Sequence, residues 1–469
     1  MKKVLIYGIS GATWTVIDPL LQAGRLPTFA RLIEGGVRAV ASSVRAEGDK
    51  HFRPQIAWPT VSTGVLPARH GVTRFFHRYD DVVVPSIWDY FQSAGARVGL
   101  FGWPIVWPPR QVNGFMIPTY DGRDASTWPP ELSYIRTLDR RQEAARGGKD
   151  VLSKVPVGES LRMAGKLLKG GVSAGTFARL ASAAADSKLR APAELRPLLL
   201  RRARLQISVD MFRKLCDQYQ PQFSAFATFL VDYAAHRFWL FHEPERFADA
   251  PKQIPPRLRD ALIDSYIAVD RALGRILSFV DNDTVIAVVS EHGMAIEPVS
   301  AEIGPWHYVM RPNKLKEFVG LPESMPANPV ARWIALRPGE DRLNETADTF
   351  RKVTIEPTGQ PLFQVYIHRD EVIVKLALTR AQNGHLNDLN ELSIRFGQRV
   401  APFTQIAQRF GRRRSAMHAE DAVMILHGPG IRCGMTLDRC GIADITPTLL
   451  HAAGLAVPAG LDGQVLPVF

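Results

Sequence analysis

A carboxylate and an imidazole stand four residues apart at Asp232 and His236, and a second pair, Glu291 and His292, is adjacent in the chain. A third histidine, His418, follows downstream. Should a helical turn begin at Asp232, the i,i+4 spacing puts Asp232 and His236 on one face. Carboxylate oxygen with imidazole nitrogen is a ligand set for zinc or manganese. Each pair alone is ordinary, a surface acid beside a core histidine. Together the five side chains, each beside an expected strand, predict a metal site made of Asp232, His236, His418, Glu291 and His292.

The elements that must hold these residues are legible as apolar runs. Residues 286–289 form a β-branched run that reads as a buried strand, closed by Gly293. Residues 223–231 read as a strand ending at Asp232, and 422–426 as the last core strand. At the start, residues 4–9 make a strand, and Ser10-Gly11 turns into a helix with Trp14, Val16, Ile17 and Leu20 inward. Further helices are expected from Pro27, from near Pro59 to Gly64, over 86–94, over 255–280 and after Asp444, with another strand at 98–102. Strand, helix and strand again is the rhythm of a parallel sheet. Ligands of open α/β sheets bind at the carboxyl ends of the strands, where all three clusters fall.

The 469 residues exceed one simple core, and 46% hydrophobic with 22% charged residues is a globular composition. No uncharged apolar run is long enough to span a bilayer, so no transmembrane helix is expected. Met1-Lys2-Lys3 with the short run after it reads as a first strand rather than a signal peptide. Cys216, Cys433 and Cys440 make no disulfide framework and no CxxC pair, which predicts a reducing, cytoplasmic setting. The net charge is +12. Between residues 135 and 214, eighteen Lys and Arg stand against seven Asp and Glu, an excess of eleven that is nearly the whole imbalance. That segment is helical in pattern and broken by Gly147-Gly148, Gly170-Gly171 and Pro192. The domain plan is a core in three pieces (1–126, 206–304 and 411–469) with a basic helical cap at 127–205 and a second insertion at 305–410. Within the second insertion, residues 364–368 and 371–376 read as a hairpin around Arg369-Asp370. In the cap, Leu161, Ala164, Leu167 and Leu168 recur at helical spacing beside Arg162, Lys166 and Lys169. That face suits an anionic small molecule, a lipid head group or peripheral contact with a membrane surface, or packs as a plain solvated helix. Nucleic acid ranks lower, because the basic residues carry no interleaved aromatics.

The wording of the chain resembles the type I phosphodiesterase/nucleotide pyrophosphatase branch of the alkaline phosphatase superfamily. The resemblance rests on residues 4–14, on 63–72 (Thr-Gly-Val-Leu-Pro-Ala-Arg-His-Gly-Val), on Gly102-Trp103-Pro104 and on 112–116. It extends to 232–239, 290–293, Met417-His418 through Gly428-Pro429-Gly430, and 444–450. It implies an α/β fold with an alkaline-phosphatase-like, mostly parallel central sheet, helices on both faces, the basic cap and an α+β second insertion. It also implies two metals, usually zinc, in one site. Asp232, His236 and His418 match the ligands of one ion. For the other, His292 matches, Glu291 stands in place of Asp, and Ser10 stands where the first-strand Asp should be. The nucleophile position falls on Pro54, or on Ala57 after a three-residue slip, and neither can attack phosphorus. One zinc site is therefore expected, with manganese as an alternative ion and the second site weak or empty.

Substitute catalytic groups are Thr60 and Ser62 on the nucleophile helix, Ser10 at its strand end, Glu291 as a base, and His51 or Asp49 on the entering loop. Trp58 reads as core. The function expected is a divergent metal-dependent phosphoesterase or phosphodiesterase without the usual Thr or Ser nucleophile. A biosynthetic group-transfer enzyme on the same scaffold, or a binding protein that has lost its chemistry, are the alternatives.

Overall fold

A computed structural model describes residues 1–119, 121–137, 164–168, 170–189, 191–248, 250–296, 306–330, 333–377, 391–412 and 415–469. Two compact units divide them. The described parts of 1–139, 156–297 and 415–469 form the first, and those of 298–414 the second.

The first unit is built on an eight-stranded sheet of β1 (Val4–Ile9), β2 (Gly36–Ser42), β3 (Val98–Trp103), β4 (Gly114–Pro118), β5 (Phe223–Thr228), β6 (Val285–Val289), β18 (Asp421–His427) and β19 (Met435–Gly441). Their order is β19-β2-β18-β6-β1-β5-β3-β4. β1 lies parallel between β5 and β6, with Gly8 opposite Ala227 and Val289. β18 alone runs against its neighbours β2 and β6. β1 and β6 are buried throughout, as central strands covered on both faces must be, and so is β4 at one edge. A two-stranded ladder of β7 (Gly293–Ile296) and β17 (Ala416–Ala419) extends from the ends of β6 and β18, pairing His418 with Met294.

Helices cover both faces, around two apolar clusters: one under Trp14, Phe29, Phe212, Trp239 and Tyr266, the other under Trp58, Trp88, Trp103 and Leu449. They are α1 (Trp14–Gln22), α2 (Pro27–Glu34), α3 (Pro54–Thr63), α4 (Ile87–Ser93), α5 (Ala174–Leu189), α6 (Arg196–Tyr219), α7 (Leu230–His242), α8 (Ala261–Leu277) and, after the second unit, α11 (Ile445–Ala453). α3 opens at Pro54 rather than near Pro59. Proline at the first helical position loses nothing, since that N–H has no intrahelical partner. Pro59 is carried inside the helix. β5 ends at Thr228 rather than at Asp232, so Asp232 lies in the first turn of α7. The expected cap boundary at residue 205 falls inside α6, a continuous helix packed against α5, α7 and α8. Gly147-Gly148 and, of the expected basic stripe, Leu161, Arg162 and Lys169 lie outside the described residues. Leu167 is buried and Leu168 exposed. Among the described residues no helix is long and apolar enough to cross a membrane.

The second unit contains β8 (Trp306–Met310), β9 (Ala327–Val330), β10 (Trp333–Leu336), β11 (Thr354–Glu356), β12 (Phe363–His368), β13 (Glu371–Leu376), β14 (Ser393–Phe396), β15 (Arg399–Pro402) and β16 (Ala407–Arg412), with α9 (Pro312–Val319) and α10 (Leu343–Arg351). β12 and β13 form the expected hairpin, His368 opposite Glu371, and Arg369 takes the left-handed backbone conformation in the turn. Its own apolar cluster centres on Leu315, Ile334, Phe350, Val372 and Phe403.

Candidate metal centre

α7 presents Asp232 in its first turn and His236 one turn later, so both side chains leave the same face. β17 brings His418 to them from across the sheet. His236 Nε2 lies 3.0 Å from His418 Nε2, and each nitrogen lies 3.3 Å from Asp232 Oδ1. The opposite ring nitrogens decide what these three atoms are. His236 Nδ1 donates to the Ala416 carbonyl at 2.6 Å and His418 Nδ1 to the Phe52 carbonyl at 2.7 Å. A carbonyl can only accept, so both Nδ1 atoms carry hydrogen and both Nε2 atoms of the neutral rings present lone pairs. Two lone pairs and a carboxylate oxygen thus converge, and among the described residues Oδ1 has no hydrogen-bond partner. A metal ion or a proton on one ring would satisfy these atoms.

The spacing suits a metal. Zinc bonds of about 2.0–2.2 Å in a tetrahedral arrangement separate ligand atoms by about 3.3 Å. Backbone carbonyls holding the outer nitrogens are the usual second layer around such histidines, fixing tautomer and ring angle. Asp232, His292 and His418 also present ligand atoms within 4.8 Å of one another. The residues therefore fit one divalent ion.

Burial favours the neutral Asp232 carboxyl, but the His236 and His418 imidazoles outweigh it and hold the group well below the usual carboxylate range. Burial, with His292 and His236 close by, pushes His418 down to about 3. Ligands that resist protonation are the form a metal binds.

The second cluster is fully buried. His292 stacks on His418 with ring centroids 3.9 Å apart, and its Nδ1 donates to the Gly293 carbonyl at 2.9 Å. Burial lowers its pKa, and the Glu291 carboxylate and Asp232 more than reverse this, so it is raised. Glu291 Oε1 sits 3.2 Å from His292 Nε2 and accepts the Ser10 hydroxyl at 2.5 Å; Oε2 has no partner. Ser43 Oγ donates to the Glu291 carbonyl at 2.6 Å, and Ser290 Oγ to the His292 carbonyl at 2.5 Å. Neither serine carries a signal as chemistry in the sequence, although Val37, Ala39 and Ala41 alternate toward Ser43 as a strand would. Phe52 and Ala416 act through backbone atoms, which no side-chain pattern announces.

The remaining candidates are placed elsewhere. Thr60 is fully buried and its hydroxyl lies 3.1 Å from His70 Nε2, a contact inside the core rather than in the metal cluster. Ser62 donates to the Trp58 carbonyl and accepts from Trp103 Nε1. Trp58 packs edge-on against Trp103 in the core, as expected. Asp49 pairs with Arg53, and His51 is exposed. Pro54 stands at the start of α3, two residues after the carbonyl that holds His418. The expected nucleophile position has no hydroxyl.

The sequence profile of the type I phosphodiesterase / nucleotide pyrophosphatase family matches residues 4–390. The chain belongs to that family. Membership supports phosphoesterase chemistry on phosphate substrates, and the family is generally metal-dependent, usually with zinc. A search of curated proteins returned no match. Among solved structures, human ectonucleotide pyrophosphatase/phosphodiesterase 5 is 13% identical, over 99% of this chain and 97% of that one, with a TM-score of 0.44. The murine protein, as an inactive variant in complex with AMP, is 14% identical over 98% and 96%, with a TM-score of 0.41. Family membership rests on the profile match and not on these likenesses.

Proposed function

We propose that this family member is a divalent-cation-dependent phosphoesterase acting on an anionic phosphate substrate, with Asp232, His236 and His418 holding the ion. The convergence of two Nε2 lone pairs and Asp232 Oδ1 within 3.3 Å carries the proposal. Zinc fits the ligand types best and manganese next. Such an ion, when bound, polarises a phosphoryl oxygen or lowers the pKa of water. The chain's own part is to hold the ligands: Phe52 and Ala416 lock the two rings, and α7 keeps Asp232 and His236 in register. Arg201 of α6 stacks on Tyr233 at 4.0 Å and Arg237 lies over the same ring at 5.4 Å. Tyr233 directly follows Asp232, so this pair of guanidinium groups places positive charge near the ligand helix, where it favours an anionic substrate. A lipid head group would draw on the same charge. The three free cysteines suit work in the reducing cytoplasm.

Pro54 removes the protein nucleophile, which favours attack by water or by an acceptor hydroxyl held in the pocket. Glu291 Oε2 is the carboxylate oxygen available to take the proton. Turnover of a phosphodiester in H₂¹⁸O separates the two routes: hydrolysis puts ¹⁸O into the phosphate product, transfer to an acceptor does not. Removal of divalent ions by chelation is expected to abolish either reaction and zinc or manganese to restore it. Unchanged turnover after chelation would rule the proposal out.

A further inference from the structure

We infer that the pocket takes one divalent cation rather than two, and that the Ser10–Glu291 hydrogen bond stands where a second ion would need its anionic ligands. The inference rests on the proposed cation at Asp232, His236 and His418, and concerns what the other half of the pocket has become.

Charge is the first consideration. The cluster holds two carboxylates, Asp232 and Glu291, and position 10 contributes a neutral hydroxyl. One divalent ion balances two carboxylates. Two would leave a net double positive charge beside Glu291, His292 and Ser10, which are 0% exposed. Uncompensated charge in such a place is strongly unfavourable.

The donors are the second. Glu291 Oε1 is committed to the Ser10 hydroxyl at 2.5 Å. Ser10 is itself tied by its N–H to the Thr228 carbonyl at 3.0 Å, so the hydroxyl is presented by a fixed backbone. Ser43 on the Glu291 carbonyl and Ser290 on the His292 carbonyl anchor the other side. His292 Nε2 lacks a hydrogen-bond partner and lies 3.2 Å from Glu291 Oε1, on the side of the second half-site. Pro54 offers neither hydroxyl nor N–H at the start of α3. What remains for a second ion is Glu291 Oε2 and His292 Nε2, two ligands where an open zinc site keeps three from the protein. The extra methylene of glutamate lets the carboxylate reach Ser10, and the two substitutions close the half-site together.

The test is metal stoichiometry. Full-length protein is stripped with chelator, loaded with excess Zn²⁺, desalted, and weighed by native mass spectrometry, with total zinc measured in parallel. One zinc per chain is expected. Two would overturn the inference while leaving the phosphoesterase proposal standing; none would overturn both. Ser10→Ala should still hold one, because Ser10 is not a ligand, and a drop to none would contradict that. Ser10→Asp restores the carboxylate and should raise the count to two; a folded variant that stays at one would remove Ser10 as the determinant. If the buried aspartate prevents folding, seen by circular dichroism, wild type and Ser10→Ala decide the matter.

Discussion

His418 shows how few atoms separate a metal ligand from an ordinary buried histidine. One nitrogen is occupied by the Phe52 carbonyl, and the other has only acceptors in front of it. Removing any member of the trio should therefore remove the ion and the transition-state stabilisation it supplies. Asp232→Asn or His418→Ala is expected to lower kcat/KM by about 10³-fold or more, since such an ion contributes several kcal/mol, and to reduce bound zinc in step. Thr60 is the opposite case. Its hydroxyl serves buried His70, so Thr60→Val should cost about 1–3 kcal/mol of stability by leaving a buried polar group unpaired, with kcat within a few-fold of wild type. A collapse of kcat in a stable Thr60→Val protein would return it to the chemistry. At this scale the sequence shows the ligand types and the missing nucleophile at Pro54. It does not show that Ser10 and Glu291 touch, because that contact exists only through the register of β1 against β6.

α7 and the β6–β7 connection do the positioning. α7 is legible because DxxxH on a helix is a local pattern, even though the helix begins two residues before the aspartate. β2 and β19 were not anticipated as strands. β2 (Gly36 to Ser42) is made of small residues with two valines and one arginine, and β19 reads Met-Thr-Leu-Asp-Arg-Cys-Gly, largely polar at a sheet edge. α6 was cut at residue 205 because its charges read as a surface cap, whereas its Leu198, Leu205, Val209 and Phe212 are buried against the sheet and helices. At Gly293 the chain leaves β6 for β7, and a Cβ there would sit 2.0 Å from the Asp421 carbonyl oxygen. Gly293→Ala must push β7 away from β18 and move His292. An unfolding free energy lower by about 1–3 kcal/mol, with weakened zinc affinity, is expected in denaturant titrations and zinc competition assays. Unaltered values in both would show that the turn yields freely.

For the whole molecule, buried histidines couple the fold to pH. Burial in the core lowers His70 to about 4. Its folded pKa lies below the unfolded value of about 6.5, so its contribution to stability is complete above that pH and is lost as pH falls toward 4. The loss is on the order of 3 kcal/mol by that shift, and His418 adds the same sign in metal-free protein. Urea unfolding of metal-free protein at pH 7 and pH 4.5 should show the decline, with a shallower slope for His70→Gln; equal slopes would place the acid sensitivity elsewhere. The overall charge acts differently. Arg201 and Arg237 over Tyr233 concentrate cations beside the ligand helix, while pairs such as Arg202–Asp264 are structural.

Phosphodiesterase turnover of chelator-stripped protein, before and after Zn²⁺ is returned, for wild type and for the Asp232→Asn/His418→Ala double variant, tests whether a divalent ion at Asp232, His236 and His418 does the chemistry. Turnover that vanishes on stripping, returns with zinc in wild type, and stays absent in the double variant is the predicted result. Turnover that survives in the stripped double variant would contradict it.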